Sequence, residues 1–328
     1  MLFLNEKEIK SAVTLNEMMD AIEEALSIFR SGEFYMPERF NVEYKNKNLL
    51  YMPCITQDII GTKMLTLFSE NQVKKLPLIY GLMMLNDYET GKPLAILDAQ
   101  ALTALRTGAV GGVGMQHFAY PDSETVGVVG CGVQGFHQIL YACDLRPIKH
   151  IYLYDAFNKD LSDYINRLQQ ALAPKNPEIT VTSDTTELLN KSQIVITTSP
   201  ATEPVLPNRP ELLEGKCFIA IGSWKPNMRE IPDAIWQVVN HVYTELPYAC
   251  EESGDLSQPL ADGILTMDRV KYMGDYLARK AAGETIPLEK TRYFKSVGMG
   301  LFDLQTANLI YKKALSTGIG QKVTLSDN

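Results

Sequence analysis

The chain has 328 residues, 45% of them hydrophobic and 21% charged, with a formal net charge of −8 at pH 7. That is an ordinary globular composition, long enough for one large or two ordinary domains. The acidic balance argues against nucleic acid or an anionic membrane surface as the main partner, and no apolar run reaches the roughly 18 residues a membrane span needs.

The opening MLFLNEKEIK mixes acid and base early and lacks the long apolar core of a signal peptide. Thr14-Leu-Asn-Glu17 is a capping box. It opens a helix with Met18, Ile22, Leu26 and Phe29 on one face, stopped near Gly32. Residues 35–99 change character: alternating, aromatic-rich runs (FNVEY, LLYMPCI, KMLTLF, LIYGLMMLND, PLAILDA) are separated by turn signals such as ETGK, which predicts a mainly antiparallel sheet. Residues 100–119 read as a helix carrying Gly108, Gly111, Gly112 and Gly114, a sign of close backbone packing.

From about 122 to 245 the rhythm becomes strand–helix–strand, with strands VGVVG, HIYLYD, ITVTS, QIVITTS, CFIAIGS and HVYTE. The fold class this predicts is α/β: a Rossmann-type doubly wound parallel sheet plus a mainly antiparallel α+β domain. The tail, YFKSVGMGLFDLQTANLIYKKAL, returns to a pattern of its own, with Leu304, Ala307, Ile310, Tyr311 and Ala314 on one helix face. If the tail packs back on the first sheet, the domains are 1–119 with 295–328, and 120–294.

Directly after the valines of the first parallel strand stand Gly130, Gly132 and Gly135, with Val133 and Gln134 between them. The G-x-G-x-x-G spacing is weak alone, but here it has a strand before it, a helix after it and Asp155 at the end of the next strand, 20 residues beyond Gly135. Gly130 permits the sharp turn, Gly132 lets backbone N–H groups approach a pyrophosphate, and Gly135 lets helix and strand pack closely, with phosphate at the helix N-terminus. Asp155 accepts from ribose hydroxyls and repels a 2′-phosphate, which favours NAD(H) over NADP(H), with Lys159 near enough to soften the preference. Thr197 and Ser199 at the end of QIVITTS, and Ser223 and Trp224 in IGSWKPNMRE, follow predicted strands and would line the same cleft; Trp224 suits a domain interface equally well.

The remaining chemistry is cationic. Arg39 (MPERF), Lys63 (GTKMLTLF) and Arg106 (ALTALRTGAV) each sit among apolar or small residues, so each needs an anionic partner if buried. Any one alone suits a structural ion pair. Together beside a nicotinamide they suit an α-carboxylate, arginine as a bidentate fork and lysine as point charge or proton carrier. His117, His137, His150 and His241 form no nucleophile–base or metal pattern, His137 reads as structural, and there is no G-x-S-x-G elbow. The five cysteines, Cys54, Cys131, Cys143, Cys217 and Cys250, are scattered without metal-ligand or C-x-x-C spacing, and read as buried thiols of a cytoplasmic protein without a metal.

Nearly end to end, through YMPERF, LYMPC, GTKML, NDYETGKPLAILDAQALTALRTGAV, VGVVGCGVQG, IGSWKPNMREIP, ESGDLSQPL and FKSVGMGLFDLQTA, the chain resembles the ornithine cyclodeaminase/mu-crystallin family. The resemblance implies a homodimer, NAD(P)(H) in the Rossmann domain, and a substrate-binding and dimerisation domain completed by the tail. It places Arg39, Lys63 and Arg106 on the substrate carboxylate, Lys63 and Arg106 as the catalytic pair, and Met52 in the pocket lining. It puts Arg106, Thr107 and the Val297–Gly298 step of the tail motif at the cofactor, and gives Asp303 a structural role. One departure stands out. Family members that cyclise ornithine carry an aspartate for the distal amine where this chain has Trp224, which neither accepts a proton nor pairs with an ammonium as a carboxylate does. The resemblance therefore implies a reductase of an α-imino or α-amino acid, such as Δ1-pyrroline-2-carboxylate or Δ1-piperideine-2-carboxylate. Cyclodeamination of ornithine and cofactor-gated binding without turnover are the alternatives.

Overall fold

The computed structural model describes residues 1–71, 73–74 and 76–324. They form two compact units, Met1–Arg106 with the segment from Gly298 onward, and Thr107–Val297.

The first unit is built on one sheet. Among the described residues its order is Gln321–Lys322, Leu2–Leu4, Pro93–Asp98, Ile79–Asp87, Ile59–Phe68, Lys47–Thr56, Phe34–Tyr35, with Phe40–Tyr44 also paired to Lys47–Thr56. All pairings are antiparallel except Leu2–Leu4 with Pro93–Asp98. That first short strand and the helix Glu6–Ala12, which opens with its own capping box at Asn5, carry too few residues to show a period in the sequence. The helix Leu15–Ser31 starts at the Thr14–Glu17 capping box and ends at Gly32 in the left-handed conformation (φ 76°). It buries Met18, Ile22 and Leu26, while Phe29 is half-buried.

Alternation along the long strands sets the core. Ile59, Gly61, Lys63 and Leu65 face inward on one strand, and Leu50, Met52, Cys54 and Thr56 on its neighbour. The C-terminal helix Gly300–Thr317 packs on this face and on the helix Leu15–Ser31. Leu304, Ala307, Ile310 and Ala314 are buried on it, with Tyr311 at the margin. Gly61 leaves room for this helix, because a Cβ there would strike the Leu304 side chain, as well as Met83 of the adjacent strand. The opposite face of the sheet is apolar as well, with Leu82 43% and Tyr80 45% exposed.

The second unit is a wholly parallel sheet in the order Glu178–Val181, His150–Tyr154, Thr125–Val129, Ile194–Thr197, Cys217–Ala220, Arg292–Lys295, Val242–Thr244, Val270–Tyr272. The order runs outward both ways from Thr125–Val129, so a topological switch point lies between that strand and Ile194–Thr197. Two strands, Val270–Tyr272 and Arg292–Lys295, were not among those predicted.

The division between the units falls inside the helix Ala99–Phe118, after Arg106, and again after Val297, not at 119/120 and 294/295. Packing explains both. Gly108, Gly111 and Gly114 on the second half of that helix are covered by Tyr141, Gln138 and Phe294 of the second unit. Arg292–Lys295 is a strand of the parallel sheet. No helix among the described residues is long and apolar enough to cross a membrane.

Candidate functional site

In the first unit, Lys63 stands on the buried side of its strand and is 1% exposed. Its Nζ donates to Asp303 Oδ2 at 2.6 Å, and Arg106 Nε donates to Asp303 Oδ1 at 2.9 Å. The acid that the tail motif supplies is thus the shared partner of two of the predicted cations, across 240 and 197 residues of sequence. Arg39, half-buried, donates from Nη2 to Gly298 O at 3.2 Å. Gly298 itself (φ 75°) lies flat against Arg106, because a Cβ there would collide with the guanidinium. Met52 is buried directly opposite Lys63 in the antiparallel ladder.

The charges interact strongly. Burial depresses the Lys63 amine to about 8; Asp303 pulls against that fall, and Arg106 and Arg39 add to it. For Asp303, burial alone would raise the carboxyl, but Arg106 and Lys63 override it and hold it below the usual carboxylate range. Lys63 and Arg106 against the one carboxylate of Asp303 leave this group net positive, suited to an anion that a guanidinium fork can grip.

In the second unit, the glycines divide by cause. Gly130 has φ 99° and a Cβ would meet the Thr198 backbone; at Gly135 a Cβ would meet Gly130 O. Both are dictated by the fold. Gly132 is exposed, has an extended backbone open to any residue (φ −93°, ψ −163°), and a Cβ there would meet nothing within 4 Å. Nothing inside the protein requires it to be glycine. It is also the N-cap of the helix Val133–Leu145, with no side chain capping the free N–H groups. Exposed Val133 and half-buried Gln134 follow it in the helix's first turn. An uncapped helix start with bare approach space fits a dinucleotide pyrophosphate.

Asp155 accepts from Cys131 N (2.8 Å) on Oδ2, and from Phe157 N and Asn158 N (both 2.9 Å) on Oδ1. It therefore ties the glycine loop to the end of the next strand, with acceptor capacity remaining on Oδ2. Lys159 Nζ donates back to Asp155 O at 3.2 Å. Burial pushes the Cys131 thiol up to about 12, so it is inert, and all five cysteines are buried and unpaired. His137 Nδ1 bonds Val133 O within the same helix.

At the next strand ends, Thr197 and Ser199 are buried, and their hydroxyls donate to Glu230 at 3.0 and 2.8 Å. Ser223 is fully buried, its Oγ donating to Met228 O (2.6 Å) and paired with Ser253 Oγ (2.8 Å); in this structure it holds its turn. Trp224 is half-buried under Lys225 Nζ, 4.6 Å from the ring centroid. Thr107 contributes its carbonyl to Gln138 Nε2 (2.8 Å). Val297 N donates to Glu245 Oε1 at 2.8 Å. Sequence reasoning missed Thr198, whose Oγ1 donates to Gly130 O at 2.7 Å and locks the loop, and missed Glu230 altogether. No local spacing marks either.

A Δ1-pyrroline-2-carboxylate reductase from Bacillus cereus (strain ZK / E33L) is 30% identical over 331 residues, covering 98% of this chain and 99% of its own. Among solved structures, Δ1-pyrroline-2-carboxylate reductase from Thermococcus litoralis, in complex with NADH and L-proline, matches with a TM-score of 0.88 at 29% identity, over 98% of this chain and 100% of that one. An archaeal alanine dehydrogenase dimer with bound NAD matches with a TM-score of 0.86 at 26% identity, over 99% of each chain. The sequence model of the ornithine cyclodeaminase/mu-crystallin family matches residues 1–318, and the chain belongs to that family.

Proposed function

We propose that the protein is an NAD(H)-dependent oxidoreductase that reduces a cyclic α-imino acid, of the Δ1-pyrroline-2-carboxylate or Δ1-piperideine-2-carboxylate type, to the corresponding cyclic amino acid. The observation that carries the reading is the buried Lys63–Arg106 pair, two cations against the single carboxylate of Asp303, with half-buried Arg39 beside it. An excess of buried positive charge is costly unless an anion completes it, and an α-carboxylate has the right charge and the right two-oxygen geometry. The names of the Bacillus and Thermococcus relatives point the same way.

In this reading the first unit binds substrate and the second binds the dinucleotide. Arg39 and Arg106 clamp the carboxylate and fix the orientation of the C=N bond. Lys63, with its amine near 8, is mostly an ammonium at neutral pH and sits within one exchange of giving its Nζ proton to the ring nitrogen, directly or through a water. Met52 forms part of the apolar lining. Gly130, Gly132, Val133, Gln134 and Gly135 cradle the phosphates, with Asp155 on the ribose and Thr197, Ser199, Thr107 and Val297 of the same unit lining the remainder. When bound, the reduced dinucleotide supplies the hydride that saturates the C=N bond. Asp155 favours the form without a 2′-phosphate. Trp224, covered by the Lys225 cation, offers an apolar wall and no carboxylate for a distal ammonium, which disfavours ornithine. The apolar outer face of the first sheet suits a second copy of the chain, giving a homodimer.

The test is an NADH and NADPH turnover panel of cyclic imino acids, keto acid–amine pairs and ornithine, on the wild type and Lys63→Ala. Reduction of a cyclic imine that collapses in Lys63→Ala supports the reading. Ammonia release from ornithine without net NADH production would identify a cyclodeaminase instead, and tight binding with no turnover a cofactor-gated binder.

A further inference from the structure

Glu230 is fully buried and receives five hydrogen bonds. Ser199 N (2.6 Å) and Ser199 Oγ (2.8 Å) donate to Oε1; Thr197 Oγ1 (3.0 Å), Gly222 N (2.8 Å) and Ser223 N (3.2 Å) donate to Oε2. Its donors come from the end of Ile194–Thr197 and from the turns that follow Ile194–Thr197 and Cys217–Ala220, at the carboxyl ends of two adjacent parallel strands next to the switch point. Open α/β sheets bind their ligands at this edge.

Behind Glu230 lies a second buried acid. Asp255 Oδ1 accepts from Glu230 N (2.7 Å) and Ile231 N (2.9 Å). Asp255 Oδ2 meets Lys295 Nζ at 3.1 Å, both groups being buried, in an ion pair without hydrogen-bond alignment. The neighbouring Arg229 is engaged elsewhere, with the Asp233 carboxylate. Two acids thus face one base. Burial and the nearby Asp255 push the Glu230 carboxyl up, and Lys295 and the Ser199 donors oppose that rise; backbone N–H groups, which only donate, fall on both of its oxygens, the bonding pattern of a carboxylate. Holding two turns together does not call for a surplus negative charge in the interior, where such a charge is costly.

We propose that Glu230, with Asp255 and Lys295, is a net-negative buried hub that makes this edge of the second unit favour the positively charged oxidised nicotinamide over the neutral reduced one. The inference rests on the dinucleotide reading of this unit. Glu230 acts through its charge and through the two turns it grips. A clamp with no electrostatic role would support both redox forms of the dinucleotide equally.

The experiment compares dissociation constants for NAD+ and NADH, by calorimetry and by nucleotide fluorescence, in wild type and Glu230→Gln. One buried charge acting through an effective dielectric of about 20 changes such a ratio by about tenfold. The expected result is that Kd(NAD+)/Kd(NADH) rises about tenfold in the variant. Asp255→Asn is the second variant: it keeps an Oδ1 acceptor for the Glu230 and Ile231 amides, removes one negative charge and moves the ratio the same way. Equal weakening of both nucleotides, or an unchanged ratio in a folded variant, overturns the hub and leaves the dinucleotide reading standing. Should neither variant fold, the wild type decides: NADH bound more than about tenfold tighter than NAD+ overturns the hub, and a smaller gap supports it. A wild type that binds neither nucleotide overturns the dinucleotide reading, and the hub with it.

Discussion

Replacing Asp303 by asparagine tests the charge arrangement of the first unit. The carboxylate bridges Lys63 Nζ and Arg106 Nε at 2.6 and 2.9 Å, and Lys63 and Asp303 are both fully buried. Asparagine keeps one acceptor and turns an NH2 donor toward the other cation, so two cations lose their anion and one hydrogen bond becomes a donor–donor contact. Breaking a buried pair from one side destabilises by about 3–5 kcal/mol. A domain typically has about 5–15 kcal/mol in total, so a folded but weakened protein is expected. The proton linkage changes too. Burial has already brought Lys63 from 10.5 to about 8 in spite of Asp303. Between those values the unfolded chain binds the extra proton, so this lysine makes stability rise with pH from about 8 toward 10.5. Without the carboxylate the amine falls by a further ~1–3 pH units, and the rise begins correspondingly lower. Urea unfolding across pH measures the first effect. The pH profile of kcat/KM for the imino acid measures the second: an alkaline limb near 8 in the wild type, displaced downward in Asp303→Asn. A limb that stays put in a destabilised but folded variant would refute the assignment of that proton to Lys63.

Three further outcomes are expected. Gly132→Ala should leave the melting temperature unchanged and weaken NADH binding tenfold or more, because the new methyl meets only ligand; Gly130→Ala should cost about 1–3 kcal/mol of stability whether or not nucleotide is present, since φ 99° strains any L-residue. Asp155→Asn keeps one acceptor for the Cys131 or Phe157 amides and loses the charge, so the NADH/NADPH ratio of kcat/KM should fall about tenfold, read from initial rates with both cofactors. Leu82→Glu, in the cross-sheet row Phe40–Tyr51–Met64–Leu82, should convert a dimer to monomer in sedimentation velocity without lowering the monomer's helix content; an unchanged sedimentation coefficient would remove that face as the dimer contact.

What the sequence revealed and what it hid follow from the range of the interactions. The glycine loop was legible because several of its causes are local: Gly135 packs on Gly130 O and Asp155 accepts from Cys131 N within a single strand–helix–strand unit, while the contact of Gly130 with the Thr198 backbone was not readable there. Lys63 was legible only as an anomaly, a cation on the apolar side of an alternating strand; its partner lies 240 residues away. The strand Arg292–Lys295 was hidden by its ends. Arg292 and Lys295 look like surface residues, yet the arginine stacks 3.9 Å over the Tyr120 ring and the lysine meets Asp255 in the interior. Glu230 and Asp255 were hidden for the same reason: in MREIP and ESGD they are indistinguishable from solvated acids, and only the closure of the parallel sheet takes them out of water.

That concealment has a physical logic. A buried charge is tolerable only when several distant segments deliver its hydrogen bonds at once, and Glu230 draws on residues 197, 199, 222 and 223, with Asp255 and Lys295 behind it. Such a group is the least predictable from its neighbours in sequence and among the costliest to replace. Among the described residues, two places where buried charges of one sign outnumber the opposite charges they meet are the Lys63–Arg106 pair on Asp303 in one unit and the Glu230–Asp255 pair on Lys295 in the other. Their opposite signs match the opposite charges of a carboxylate substrate and an oxidised nicotinamide, a correspondence that neither the α/β fold nor hydrophobic packing requires.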